Sequence, residues 1–241
     1  MRTSLLLLLV ITLAGCRGGS GAIDAVPVIR TQAEYDNYVI EAQKLSQEPM
    51  KKFDAGEPLS EVEKKDLQQA LFLFEGMAAF DPTGPNSYLP FFASGKINHT
   101  LGNYQRSLEN FQQCISVAPT RGKPTKLTPD ISEDDRVLLM TIAEARYLAS
   151  LCYFELRDFG DAAHQANLAN QIVPNSANYR VAEARAELEI GNEMKAVQLI
   201  AEALYIDPNH KIAQQVAKLL NMQPAPPQKP SDAPKIEKPK K

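Results

Sequence analysis

Residues 145–174 read ARYLASLCYFELRDFGDAAHQANLANQIVP, and residues 183–208 read EARAELEIGNEMKAVQLIAEALYIDP. Each holds two blocks rich in Ala, Leu and Glu, parted by a short polar break and closed by a proline. The closing residues, Pro174 and Pro208, lie 34 residues apart. In that register Ala162 stands over Ala196, Ala169 over Ala203, and Arg157 opposite Gly191 in the break. A third segment, ending at Pro119, falls on the same grid with Gly95, Gly102, Tyr104, Ser107, Phe111 and Cys114. The pattern has a physical logic. Two antiparallel helices approach closely only where facing residues are small, and aromatics fill the space beside them. Gly95/Ser107/Cys114, Ser150/Ala162/Ala169 and Ala184/Ala196/Ala203 are the expected contact sets. Pro119, Pro174 and Pro208 should stop the second helix of each pair, since proline cannot continue it and disfavours helix in the residue before.

On these residues the stretch from 86 to 210 resembles the tetratricopeptide repeat family, whose period is about 34 residues. The resemblance implies an all-α fold, an α-solenoid of helical hairpins with the family's right-handed superhelix. The third repeat departs from the pattern: Glu187 stands where an aromatic is usual and Arg180 where a large apolar residue is usual. Its first helix is therefore expected to be a polar, cap-like terminal one.

Working outward, Pro119 and Pro174 are too far apart for one period, so an insertion of about 21 residues separates two repeats. It opens with TRGKPTKLTPD, and Asp130 or Ser132 is placed to cap a helix beyond it. A loop and a lengthened first helix are expected. Upstream, residues 31–54 and 60–80 read as two further helices, the second capped by Ser60 with Glu63 three residues on. Its Ala70, Phe74, Met77 and Pro82 match a divergent fourth repeat. Residues 211–220 suit a capping helix. The helical domain is thus expected over 31–220, with eight or nine helices.

The N-terminus reads as a processing signal. Leu5–Leu13 (LLLLLVITL) is an apolar run far shorter than the roughly 20 residues needed to span a bilayer. It leads into Leu13-Ala14-Gly15-Cys16, which resembles the lipobox of bacterial lipoproteins. The resemblance implies that residues 1–15 are removed and that Cys16 is alkylated with diacylglycerol and often N-acylated. Two or three acyl chains hold a protein stably on a membrane. Arg17 stands where an Asp would favour inner-membrane retention in proteobacteria, so the expected address is the outer membrane, facing the periplasm. Residues 16–30 open Gly/Ser-rich and are expected to form a flexible tether.

The last segment, 221–241, carries six prolines, five lysines, Asp232 and Glu237. Such a composition buries too little apolar surface to fold and is expected to be disordered or polyproline-like. Its net charge of about +3 contrasts with about −7 on residues 16–220, against −3 for the whole chain. No basic footprint for nucleic acid is present. The 44% apolar content is ample for a core, and 7% aromatics with no Trp suits thin helical layers better than a β-sandwich.

Nothing in the chain marks catalysis. There is no GxSxG elbow, Gly-rich phosphate loop, HExxH or EF-hand loop, and His99, His164 and His210 fall on three different hairpins. Glu133-Asp134-Asp135 suits a helix start. No enzyme activity, metal or cofactor is expected. Cys114 and Cys152 leave two readings open, a disulfide in an oxidising compartment or two buried thiols.

Stacked hairpins present a concave face lined by the first helix of each pair. On the family grid its inward residues would be Leu89, Phe92, Lys96 and His99, then Glu144, Tyr147, Leu151, Phe154 and Glu155. Against this stands the plainer reading that Phe92, Tyr147 and Phe154 pack under the next hairpin and that His99 is a solvated surface histidine. The mixture suits a protein or peptide partner. The expected function is that of a membrane-anchored interaction scaffold or adaptor in an envelope assembly. The alternative is an envelope attachment protein whose Pro/Lys tail contacts the cell wall while the solenoid serves as a spacer.

Overall fold

The computed structural model describes residues 27–222, apart from 82, 83, 85, 121 and 122. Residues 1–16 with the expected lipidation site Cys16, the tether up to residue 26, Pro82 and the tail from 223 lie outside the described residues. Among the described residues there are nine helices and no strand. They are α1 (Gln32–Asp54), α2 (Glu61–Phe80), α3 (Tyr88–Thr100), α4 (Tyr104–Val117), α5 (Glu133–Glu155), α6 (Phe159–Ile172), α7 (Ala177–Glu189), α8 (Glu193–Ile206) and α9 (Lys211–Leu219).

Consecutive helices pair as hairpins: α1 with α2, α3 with α4, α5 with α6 and α7 with α8. Each second helix packs on the first helix of the next pair, and α1, α3, α5, α7 and α9 touch in succession. The second helices α2, α4, α6 and α8 do not pack directly on one another. First helices therefore line one face of the stack and second helices the other, as in a tetratricopeptide-type α-solenoid.

The helix starts and stops follow from the sequence. Ser60 and Glu63 form a reciprocal capping box, as do Thr31 and Glu34. Of the two candidate caps in the insertion, Ser132 is the one used, its hydroxyl accepting from the Asp135 N–H at 3.2 Å. Helices α4, α6 and α8 each end two residues before Pro119, Pro174 and Pro208. Within each of these three repeats the break is the same Schellman turn. The N–H of Gly102, Arg157 and Gly191 donates to the carbonyl of His99, Phe154 and Leu188, and the next N–H reaches one residue further back. All three turn residues have positive φ, of 75°, 63° and 85°. Arg157 thus holds the left-handed conformation that its equivalents leave to glycine.

The expected contact sets sit at the centre of the hairpins. Ser107, Cys114, Ala162, Ala169, Ala184, Ala196 and Ala203 are all buried. At Gly95 a Cβ would lie 2.5 Å from Phe111 Cε1, and its carbonyl accepts from the Ser107 hydroxyl at 2.8 Å. Cys114 and Cys152 are free, buried thiols. The Cys152 thiol donates to Ser107 Oγ at 3.3 Å. Ser107 lies two turns of α4, roughly 10 Å, from Cys114, so the sulfurs are far beyond bonding distance. Burial pushes the Cys114 thiol up to about 12 and the Cys152 thiol up to about 11, which keeps both un-ionised.

The insertion is ordered where it is described. Leu127 donates its N–H to the carbonyl of Ile172 at 2.9 Å, Lys123 pairs with Asp135 at 2.7 Å, and Leu127 and Ile131 pack against the central core. Helix α5 gains extra turns over α3 and α7, being 23 residues long against 13 for each of those. It is long and apolar enough to cross a membrane, with a mean hydropathy of 1.4, but half of that stretch is buried against its neighbours, the mark of a core helix.

Three expectations need correction. The stretch 16–30 is not free to its end: Ile29 is buried, and the Pro27 ring leaves no room for a side chain at Gly76 of α2. The segment read as tail likewise begins later than 221. Asn221 and Met222 form a left-handed cap on α9, and Met222 packs against the C-terminal core. Helix α7 is not a polar cap. It lies between α6 and α8 with α9 against it, and Glu183 and Glu187 are only 1% and 4% exposed. Glu187 points inward and is satisfied by Asn192 and Lys195, while Arg180 reaches the Pro174 carbonyl at 2.8 Å and Glu202 at 2.9 Å.

Candidate functional site

The concave face carries two adjoining grooves that share Met50, Asp54 and Lys96. The first, about 550 Å³, runs between α1 and α3 over Ser46, Phe74 and Ile97. The second, about 410 Å³, crosses from α1 over α3 to α5 and brings together Lys96, His99, Glu144, Tyr147 and Leu151. Five of the nine residues expected on the inner face thus meet around one cavity. Helical geometry explains it, because positions three or four apart share a face: 96 and 99 on α3, and 144, 147 and 151 on α5.

The other four lie elsewhere. Leu89, 39% exposed, sits in the first turn of α3, beyond the groove. Phe92 packs on the central core, its ring 6.1 Å from Phe111 of its own hairpin. Phe154 stacks edge-on against Phe159 at 5.2 Å and takes the Arg185 guanidinium on its face at 4.5 Å. Glu155, at the last turn of α5, is exposed.

Tyr147 combines both readings. It lines the second groove while its ring packs 5.0 Å from Tyr179 of α7. The Tyr179 hydroxyl donates to Glu144 at 3.0 Å, so that carboxylate is held in place on the groove wall. Burial, with Glu144 adding to it, raises the Tyr179 phenol and keeps it a donor.

His99 is not a solvated surface histidine. It is wedged between Phe53 of α1 and Tyr104 of α4, with ring centroids 6.0 Å and 5.7 Å away. Burial holds its imidazole below the ordinary value, against the opposing pull of Glu155 and Asp54. At neutral pH it is a flat, uncharged wall of the groove. Lys96 spans both grooves with its ammonium 5.9 Å from the Phe92 ring, and it forms no ion pair among the described residues. It shares the grooves with other charged groups, Lys51 in the first, Asp54 in both and Glu144 in the second, set among the apolar side chains of Met50, Phe74, Ile97 and Leu151.

Helix α1 is what the sequence did not assign. Met50, Phe53 and Asp54 make a whole wall of the second groove. The available signal was the second-helix match at Ala70, Phe74 and Met77, which makes α1 the first helix of that pair and puts it on the inner face. His164 is exposed on α6. His210 caps α9 by accepting from the Ala213 N–H at 3.2 Å, and its other ring nitrogen meets Asn178 Oδ1 at 2.8 Å. The three histidines therefore serve separate elements. No group of three His, Cys, Asp or Glu side chains suited to a metal occurs among the described residues.

Residues 91–121, which cover α4 and most of α3, match the family model described as tetratricopeptide repeat. No curated protein matches the chain. Among solved structures the chain is similar to MamA 41-end from Desulfovibrio magneticus RS-1, with a TM-score of 0.57 and 14% identity over 80% of this chain and 86% of that one. It is also similar to YrrB, titled a TPR protein with an unusual peptide-binding site, with a TM-score of 0.31 and 13% identity over 76% and 97% of the two chains. At such identities the first of these likenesses is one of fold.

Proposed function

We propose that this protein is an interaction scaffold: a tetratricopeptide-type solenoid, tied to a bacterial envelope membrane through lipid on Cys16, that holds a protein segment in the concave channel of α1, α3 and α5. The observation that carries this reading is the channel itself. Apolar side chains from three successive first helices line it, the ion-pair-free Lys96 lies at its middle, and Glu144 is fixed on one wall. An extended or helical segment gains from burying apolar side chains there, and one acidic residue on it would meet Lys96. The absence of any catalytic constellation in the sequence fits a binding role.

The outer membrane, on its periplasmic side, is the location we propose, resting on the lipobox resemblance and on Arg17. The test is a pull-down from detergent-solubilised membranes with the intact protein, with Lys96→Glu and with Leu151→Glu. Both variants should lose the same partner set while keeping wild-type circular dichroism. Partner sets identical to the wild type would remove the channel from the account.

A further inference from the structure

The outer face of the solenoid holds a second cavity with different chemistry. Because α4 and α6 do not pack on each other, a pocket of about 180 Å³ opens between them, floored by α5. Leu108 and Ile115 of α4 and Ala149 of α5 form its apolar walls, while Arg146, Tyr153 and Gln165 supply its polar edge.

Arg146 is the only charged residue lining the pocket. It is half-buried and makes no ion pair among the described residues. Among the described residues its one side-chain hydrogen bond runs from Nη1 to Gln165 Oε1, at 3.0 Å. Burial lowers its pKa. Asp158 and Asp161 reach Tyr153 through space but do not line the pocket.

Of the remaining polar groups, Gln165 and Tyr153 are biased the same way, while Ser116, whose hydroxyl donates to the Gln113 carbonyl at 2.9 Å, and the Gln112 amide oxygen are acceptors at the rim. Gln165 spends its oxygen on Arg146, which leaves its amide N–H groups without a partner. Gln112 Nε2 donates to Tyr153 Oη at 3.1 Å, which leaves the phenol proton free; the reverse orientation would free the Gln112 amide instead. The pocket therefore offers a guanidinium and at least two spare donors, has no acid among its lining residues, and has apolar walls that suit a short methylene stem.

We propose that this pocket is a carboxylate-binding site, with Arg146 as the charged partner, that takes an acidic side chain of a partner protein on the face opposite the channel. The site needs no contribution from Lys96, so it stands or falls separately from the concave-groove reading.

The test titrates the full mature chain, in detergent and labelled with ¹⁵N-arginine, with N-acetyl-glutamate methylamide, its glutamine analogue and inorganic phosphate. The Arg146 Nε–H signal should shift saturably with the glutamate probe. Binding should be about tenfold tighter than for the neutral analogue, the gain expected of a charge-assisted hydrogen bond. Salt should weaken it; read instead from the Gln165 side-chain amide in uniformly ¹⁵N-labelled protein, Arg146→Lys should weaken it and Arg146→Gln should abolish it, while Lys96→Glu leaves it unchanged. Equal response to the glutamine analogue, no saturation in the millimolar range, or preference for phosphate would each overturn the proposal, and all three readings are taken on the wild-type fold.

Discussion

Gly95 sets how closely α3 and α4 approach, and it does so by lacking a Cβ, not by any special backbone. Gly95→Ala would place its methyl 2.5 Å from the Phe111 ring in a buried contact, where overpacking costs about 1–3 kcal/mol. Urea denaturation should show that loss in the midpoint. Arg157 presents the opposite case. Its φ of 63° is one that Gly102 and Gly191 adopt freely, and a left-handed non-glycine residue costs roughly 1 kcal/mol. Arg157→Gly should therefore stabilise the fold by about 0.5–1 kcal/mol, less the extra entropy of glycine in the unfolded chain. The same measurement reads it, and a lower midpoint would mean that Arg157 makes contacts worth more than the strain. These two positions show what was legible in the sequence. The alanine-sized contacts and the turn register follow from a repeat whose period is visible in one chain. Which aromatics face the groove did not follow, because Phe92 and Phe154 sit on the borderline of the helical face, where Phe111 and Arg185 on neighbouring helices decide the outcome.

At the scale of the element, α7 shows why a polar residue on an apolar grid is not a sign of exposure. Glu183 accepts from Asn170 at 2.9 Å, Asn167 at 3.1 Å and Lys195 at 3.0 Å, while Glu187 accepts from Asn192 at 2.7 Å and Lys195 at 2.6 Å. One ammonium on α8 thus serves two buried carboxylates on α7, and the asparagines of α6 complete the set. No single-chain pattern announces this, because the partners lie on three helices. Lys195→Met would leave both carboxylates without their cation; since Lys195 is half exposed, the cost should be about 2 kcal/mol, less than for a fully buried pair. The pair also sets an acid limit. Burial alone would raise the Glu187 carboxyl, but the Lys195 and Asn192 hydrogen bonds outweigh it and hold the group below the ordinary value. A depressed folded pKa gives stability that is complete above the unfolded value of about 4.3 and is lost as pH falls through the folded one. Thermal melts should therefore fall through that window, and the fall should be shallower in Glu187→Gln. An identical slope in the variant would show that other carboxylates govern the acid limb.

For the whole molecule, the docking of Pro27 and Ile29 on α2 fixes where the chain enters the solenoid, and that constrains the anchor proposed on Cys16. Residues 17–26 lie between them, and whatever their conformation they span at most about 40 Å. The first hairpin, and with it the α1 wall of the channel, would then stay close to the bilayer, so a partner in the channel would be met near the membrane. Fluorescence can measure this. Cys114 and Cys152 are buried with raised pKa, so a new thiol at the exposed Lys44→Cys should label selectively in the folded protein. In vesicles carrying a headgroup acceptor, energy transfer from that label should be strong for the native tether. It should drop when about 20 Gly/Ser residues are inserted after residue 20, because the r.m.s. reach of a flexible chain grows as the square root of its length. Cys16→Ser should abolish vesicle binding altogether. Transfer that ignores the insertion, or a Cys16→Ser protein that still sediments with vesicles, would mean that the membrane holds the solenoid by some other surface.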